Sequence, residues 1–223
     1  MSYQMIALDV AGTTVEDSGV VIGAFTEAFS SIVPQRWATE STQMLAYAKV
    51  TMGQSKIEVF TELLGEAELA QQANVAFEEA YLAAIRSGGA HPIAGAEAVF
   101  AAARERGIPV VLTTGFSRPT LNALIEALGW QNEVTLTVTP SEAGRGRPHA
   151  DMLEFAAAQL GVTDLETVLV VGDTISDILA GLSFGAADVF GVLSGAHNQD
   201  QLSKAGAAEV VNSVADLLPY IQR

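Results

Sequence analysis

The chain has 223 residues, 49% of them apolar, which excludes a disordered chain and allows one large core or a core with a small second domain. Lys and Arg number 11 against 26 Asp and Glu, and the resulting formal charge of −15 repels nucleic acid and anionic membrane, so an anionic ligand would need its own local positive charge. There is no cysteine for a disulfide, a thiol nucleophile or a thiolate metal site, and neither a leader peptide nor a bilayer-spanning run is visible, so the expectation is a soluble cytoplasmic protein.

The first element is a short apolar run, Met5 to Leu8, that ends in Asp9 and is followed at once by Gly12, Thr13 and Thr14. A run of that length bounded by a glycine turn reads as a buried strand. A carboxylate at its end can attack an electrophile, hold a metal or cap the next turn. From 20 to 86 the pattern is helical, with Ile22, Phe25, Phe29 and Ile32 at three- and four-residue spacing. Val59, Leu63 and Leu64 continue it, as do Phe77, Tyr81, Leu82 and Ile85. Residues 87–92 read as a hinge.

Beyond the hinge helices and strands alternate. Helices are expected over 96–106, 119–128, 150–160 and 175–182, with strands over 110–113, 134–138, 168–171, 189–193 and 209–211. Ser213 begins a last helix, with Asp216 placed for a capping box. Alternation of this kind implies a parallel sheet with helices on both faces. The helical stretch after the first strand is then an insertion over the sheet edge.

Three later stretches carry polar groups at strand or loop ends. Thr113 ends the 110–113 strand and Thr114 and Gly115 follow it, and a hydroxyl with free amides there can hold phosphoryl oxygens, although such residues are common at strand ends. Arg145 and Arg147 lie in a glycine-rich loop and read either as phosphate-binding guanidinium groups or as surface charges. Asp173 and Asp177 are four apart at a helix start and share a face. Beside Asp9 they would repel one another without a cation between them, and an oxygen-only cluster suits Mg²⁺; alternatively one is a cap and the other solvated. In the helical stretch, Lys56 of Met52-Gly53-Gln54-Ser55-Lys56-Ile57 is, on spacing alone, an ordinary helix lysine.

Asp9-x-Ala11-Gly12-Thr13-Thr14 resembles the first motif of the haloacid dehalogenase superfamily, usually Asp-x-Asp-Gly-Thr. Alanine at position 11 is the form of the phosphonoacetaldehyde hydrolase (phosphonatase) family, and removes the aspartate that serves most phosphatases of the superfamily as general acid and base. Thr113-Thr114-Gly115-Phe116, Arg147-Pro148 and Gly172-Asp173-Thr174-x-x-Asp177 resemble the second, third and fourth motifs, and Met52-Gly53-x-x-Lys56-Ile57 resembles the phosphonatase cap motif. The resemblance implies a Rossmann-like parallel-sheet core over 1–18 and 90–223, with an inserted α-helical cap over 19–89. It implies Asp9 as phosphoryl acceptor, and a phosphate and substrate site made by Gly12, Thr13, Met52, Thr114, Gly115 and Arg147, with Arg145 solvated. It further implies Mg²⁺ on Asp9, the Ala11 carbonyl and Asp173, supported by Asp177, and Lys56 as a Schiff-base lysine. The family carries a histidine three residues after that lysine, where this chain has Val59. The segment beyond 177 is expected to add only strands and a helix.

By this resemblance the chain is a Mg²⁺-dependent hydrolase that moves a phosphoryl group from a phosphonate of the phosphonoacetaldehyde type to Asp9 and then to water. A protonated imine on Lys56 would accept the electron pair of the broken carbon–phosphorus bond. The alternative is a phosphomonoester phosphatase for a small metabolite, favoured by Val59 and disfavoured by Ala11. A catalytically silent binding protein would not need Asp9, Thr114, Arg147, Asp173 and Asp177 intact. The expected partner is a small-molecule phosphonate or phosphate, not nucleic acid or membrane, and analogy with the family suggests a homodimer formed through the cap.

Overall fold

Strand β1 (Met5–Asp9) carries no polar residue before its last position and is buried throughout, as the middle of a parallel sheet requires. The computed structural model, which describes residues 3–16 and 18–222, sets β1 between β2 (Val110–Thr113) and β4 (Val168–Gly172). Of the expected core over 1–18 and 90–223, Met1, Ser2, Asp17 and Arg223 lie outside the described residues. Adding β3 (Leu136–Val138), β5 (Asp188–Val192) and β6 (Glu209–Val211) gives a six-stranded sheet of order β3-β2-β1-β4-β5-β6. Every pairing is parallel, with Asp9 level with Thr113 and Gly172 level with Gly191. All six expected strands are present. β3 begins at Leu136 rather than at 134, although the Thr135 amide already bonds the Val110 carbonyl (2.8 Å).

The strand period of two sorts the core into two layers. Ile6, Leu8, Leu112, Leu169 and Val171 face α5 (Ala96–Glu105), α6 (Arg118–Leu128) and the C-terminal α11 (Leu218–Ile221). Met5, Ala7, Val111, Val168 and Val170 face α8 (Asp151–Leu160), α9 (Ile175–Phe184) and α10 (Gln199–Ala205). The architecture is α/β, a Rossmann-like sheet covered by helices on both faces. Its strand order reverses between β1 and β4, and ligands in such folds bind outside the carboxyl ends of the strands at that point.

Between β1 and β2 the chain forms a helical block of α1 (Val20–Ile32), α2 (Pro34–Val50), α3 (Lys56–Leu64) and α4 (Ala67–Ala84), then a π-turn over Ile85–Gly89. The expected helical stretch is thus four helices. Pro34, without an amide to continue α1, starts α2 at its first position, and Gly65 ends α3 with a left-handed φ of 72°. The block is packed on aromatic rings. Neighbouring rings among Phe25, Phe29, Phe60 and Phe77 have centroids 4.8 to 6.1 Å apart, and Tyr81 continues the cluster onto Phe116 in the loop after β2 (4.5 Å).

Two local expectations need correction. Ser213 makes no side-chain cap, and Asp216 instead accepts a hydrogen bond from the Asn212 amide (2.9 Å). Residues Val214–Leu217 form a 3₁₀ turn, because Pro219 has no amide to return to the Ala215 carbonyl. The short helices α7 (Pro140–Ala143) and α10 were not expected. Both open with capping boxes, Thr139 with Glu142 and Asn198 with Gln201.

Candidate active site

Asp9 ends β1 and Asp173 follows β4 directly, so the strand reversal brings their carboxylates together. Asp177 reaches the same place through the start of α9. Thr174 Oγ1 accepts from the Asp177 amide (3.2 Å), and Asp177 Oδ2 accepts from the Thr174 amide (3.0 Å) and hydroxyl (2.5 Å). This capping box turns the Asp177 carboxylate back toward the strand end. Ligand oxygens of Asp9, Asp173 and Asp177 lie within 4.8 Å of one another, and all three residues are buried.

Arg147 enters from the loop between α7 and α8. Its Nη1 donates to Asp9 Oδ1 (2.6 Å) and to Asp177 Oδ1, while its buried Nε has no hydrogen-bond partner among the described residues. Three buried carboxylates therefore meet one guanidinium. Burial, and then the Asp9 charge, push Asp173 up to about 7, against the opposing hydrogen bond from the Ala196 amide. A hard divalent cation fits this donor set: oxygens only, buried, and short of positive charge.

Gly12 (φ 92°) passes so close to Asp173 that a Cβ there would stand 2.5 Å from Oδ2. The loop 52–55 of the helical block is laid just as closely on the core. A side chain at Gly53 (φ 84°) would strike the Thr174 hydroxyl, and one at Gly115 would strike the Gln54 carbonyl. Ser176 Oγ donates to the Met52 carbonyl (3.1 Å). This loop sets down Lys56 as the first residue of α3 with 5% of its surface exposed. Its Nζ donates to the Gln54 carbonyl (3.3 Å) and lies 5.8 Å and 5.6 Å from the ring centroids of Phe25 and Phe116.

The cavity between the two is about 260 Å³ and partly open, room for a small molecule. Asp9, Ala11, Gly12, Thr114, Gly115, Arg147 and Asp173 line it from the core, and Met52 and Lys56 from the helical block. Thr114 is buried, and its Oγ1 accepts from the Phe116 amide (3.2 Å). Two of the expected site residues do not line this cavity but touch groups that do. Thr13 is buried with its hydroxyl donated to Asp173 Oδ1 (3.2 Å), and Asp177 sits behind Arg147. Arg145 is exposed and paired with Asp151 (2.8 and 2.9 Å), and Val59 is packed in the core of the helical block.

The segment 193–197 after β5 is a site element that sequence reasoning missed. The Ala196 amide donates to Asp173 Oδ2 (2.7 Å), the His197 amide to the Asp173 carbonyl (3.2 Å), and Ser194 Oγ to the Gly12 carbonyl (2.7 Å). His197 Nδ1 accepts from the Ile175 amide (2.8 Å), and burial holds the ring below its ordinary pKa. The expectation that the chain beyond 177 supplies only strands and a helix is therefore corrected. Ser194-Gly195 at a strand end was the available signal, the same one read at 113–115. Phe25 and Phe116, the rings beside Lys56, were also missed as site residues.

A fold of this order, with an aspartate at the end of β1, a second after β4 and an inserted helical block, is that of a class of hydrolases. A family model for haloacid dehalogenase-like hydrolases matches residues 3–185, and the chain belongs to that family. The phosphonoacetaldehyde hydrolase of Bacillus cereus is 32% identical over 212 residues, covering 87% of this chain and 77% of the relative. Among solved structures, a phosphonoacetaldehyde hydrolase-like protein from Oleispira antarctica superposes with a TM-score of 0.82 at 26% identity, over 100% of this chain and 92% of that one. A haloacid dehalogenase family hydrolase from Deinococcus radiodurans, solved with bound phosphate and sodium, gives 0.67 at 26% identity over 96% and 93%. Among the described residues no helix is long and apolar enough to cross a membrane.

Proposed function

We propose that this hydrolase is a phosphonatase, cleaving the carbon–phosphorus bond of a small phosphonate that carries an aldehyde, with phosphonoacetaldehyde as reference substrate. The observation that carries this reading is the placement of Lys56 and Asp9 on one small cavity, with Ala11 where a proton-donating aspartate would otherwise stand. Residues 19–89 act as the cap over that cavity.

The Lys56 amine adds to the aldehyde and, with loss of water, gives an imine that is protonated at nitrogen. Asp9 attacks phosphorus, the carbon–phosphorus bond breaks, and its electron pair moves into the imine to give an enamine. Protonation of the enamine carbon and hydrolysis of the imine release acetaldehyde and restore Lys56. Water then cleaves the aspartyl phosphate, releasing phosphate and restoring Asp9. No alkoxide leaves, so no acid is needed at position 11. Arg147 fixes Asp9, and its guanidinium, with Thr114 and the Gly115 amide, lines the cavity to receive phosphoryl oxygens. Asp9, the Ala11 carbonyl and Asp173, supported by Asp177, would hold Mg²⁺, which would supply positive charge for the phosphoryl oxygens. The aromatic walls at Phe25 and Phe116 shield the imine from water.

A phosphomonoesterase reading is favoured by one observation: an apolar Val59 is buried where the phosphonatase family has a histidine. Borohydride separates the two. With phosphonoacetaldehyde present, reduction should inactivate the enzyme irreversibly and add the substrate-derived mass to the peptide holding Lys56. Turnover of phosphonoacetaldehyde without borohydride sensitivity overturns the imine route. Phosphate release from monoesters but not from phosphonoacetaldehyde overturns the substrate class.

A further inference from the structure

Glu78 lies on α4 of the helical block, one turn before Tyr81, yet its hydrogen bonds cross to the catalytic core. Its Oε2 accepts from Ser117 Oγ (2.6 Å) and from the Thr120 hydroxyl, and its Oε1 accepts from the Ser117 amide (3.4 Å). Ser117 is the N-cap of α6, and Thr120 is fully buried in its first turn. A carboxylate at a helix start is favoured both by the orphan amides and by the macrodipole. Here it comes from another part of the fold, 39 residues away from Ser117. Ser117 also continues the segment that begins at Thr114, passes Gly115 against the Gln54 carbonyl, and places Phe116 beside Lys56. Tyr81 holds the Phe116 ring from the same face of α4 (4.5 Å).

We propose that Glu78 is a positioning residue that locks segment 114–117 in its working geometry only when the helical block is seated on the core. The inference rests on the reading of Thr114 and Lys56 as site residues. With the block displaced, Ser117 alone caps α6, and the segment loses the carboxylate and the Tyr81 ring together. Glu78 thus makes the order of a core loop depend on the position of the block, without touching substrate.

Hydrogen exchange with mass spectrometry tests this without turnover, so its result stays separate from the fate of the phosphonatase reading. In Glu78→Ala, amides 115–121 and 52–56 should exchange roughly tenfold faster, as expected for loss of hydrogen bonds to a charged acceptor, while Val168–Gly172 of β4 should not change. Glu78→Gln should fall between, since it keeps an acceptor and loses the charge. With whichever substrate is turned over, kcat of Glu78→Ala should fall roughly tenfold and be recovered in part by Glu78→Gln. Unchanged exchange over 115–121, an equal rise in β4, or a lowered melting temperature with kcat intact would each overturn the proposal. If Glu78→Ala does not fold, Thr120→Val removes one partner from the core side. It should accelerate exchange over 115–121 in the same direction, and no acceleration there counts as refutation.

Discussion

The sheet edge and the helical block close on one cavity with opposite chemistry. At the edge, Asp9, Asp173, Asp177 and Arg147 are buried in mutual contact, each held by at least one other charge or backbone amide. Above it, Lys56 stands beside aromatic rings and donates to the Gln54 carbonyl at 3.3 Å. Burying each ion at the edge costs several kcal/mol unless neighbours compensate, so the cluster is a built electrostatic device rather than a by-product of packing. The block contributes shape, water exclusion and one amine. Under the proposed function the edge serves phosphoryl transfer in general, and the amine of the block selects the bond that is broken.

Removing the nucleophile tests the edge most severely. Asp9→Asn should lower phosphate release by about a thousandfold or more, because an amide does not accept the phosphoryl group. The fold should survive, since asparagine keeps an acceptor for Arg147 and relieves the repulsion with Asp173. Near-normal release by the folded variant would remove the aspartyl-phosphate route and leave the comparison without its first member.

The block is tested by Lys56→Arg, which keeps the charge and abolishes imine formation. Release from phosphonoacetaldehyde should fall by about a hundredfold or more, with any release from phosphate monoesters changing less than about tenfold. Equal losses on both substrates would mean that Lys56 serves the phosphoryl group and that the division of labour is wrong.

A third measurement concerns the charge at the edge. The Asp173 carboxyl is raised from an ordinary 3.8 to about 7, so the fold favours its protonated form. The stability this group contributes is present below about pH 4 and is lost as pH rises through 7. Cation-free protein should therefore melt at a lower temperature at pH 8 than at pH 5.5. Added Mg²⁺ should raise the melting temperature more at pH 8, where the carboxylate is ionised, than at pH 5.5. Asp173→Asn should flatten both dependences. A wild-type melting temperature at pH 8 that ignores Mg²⁺ would count against a cation among these aspartates.

The same contrast governs what the sequence made legible. The strands, and Asp9 and Asp173 at their ends, could be read because an apolar run followed by a polar residue and glycine is a local pattern. The sheet order then brings those ends together. Lys56 could be read only through its family motif, since its burial depends on Phe25 and Phe116, which come from α1 and from the loop after β2. Segment 193–197 carried only the weak strand-end signal of Ser194-Gly195, and Glu78 carried none, for a related reason: their partners are at Asp173, Ile175 and Ser117, far away in sequence. Ser213 misled because a local capping signal competed with Pro219 and lost.

The smallest expected effect bears on the residue where sequence and structure differ most finely. The first motif suggests that Thr13 faces phosphate, whereas the fold turns its hydroxyl onto Asp173 Oδ1 at 3.2 Å, with both groups buried. Thr13→Val keeps the shape and removes the donor. A donor to a carboxylate favours its ionised form, the form that binds a cation, and one such bond contributes about 1 kcal/mol or somewhat more. Affinity for Mg²⁺, followed by calorimetry or by the melting shift, should therefore weaken about fivefold to tenfold, while inhibition by inorganic phosphate at saturating Mg²⁺ stays within about twofold. The reverse pattern, with phosphate binding lost and Mg²⁺ affinity kept, would return Thr13 to the phosphate site. It would also show that the edge is organised around the anion before the metal, the opposite of what three converging carboxylates imply.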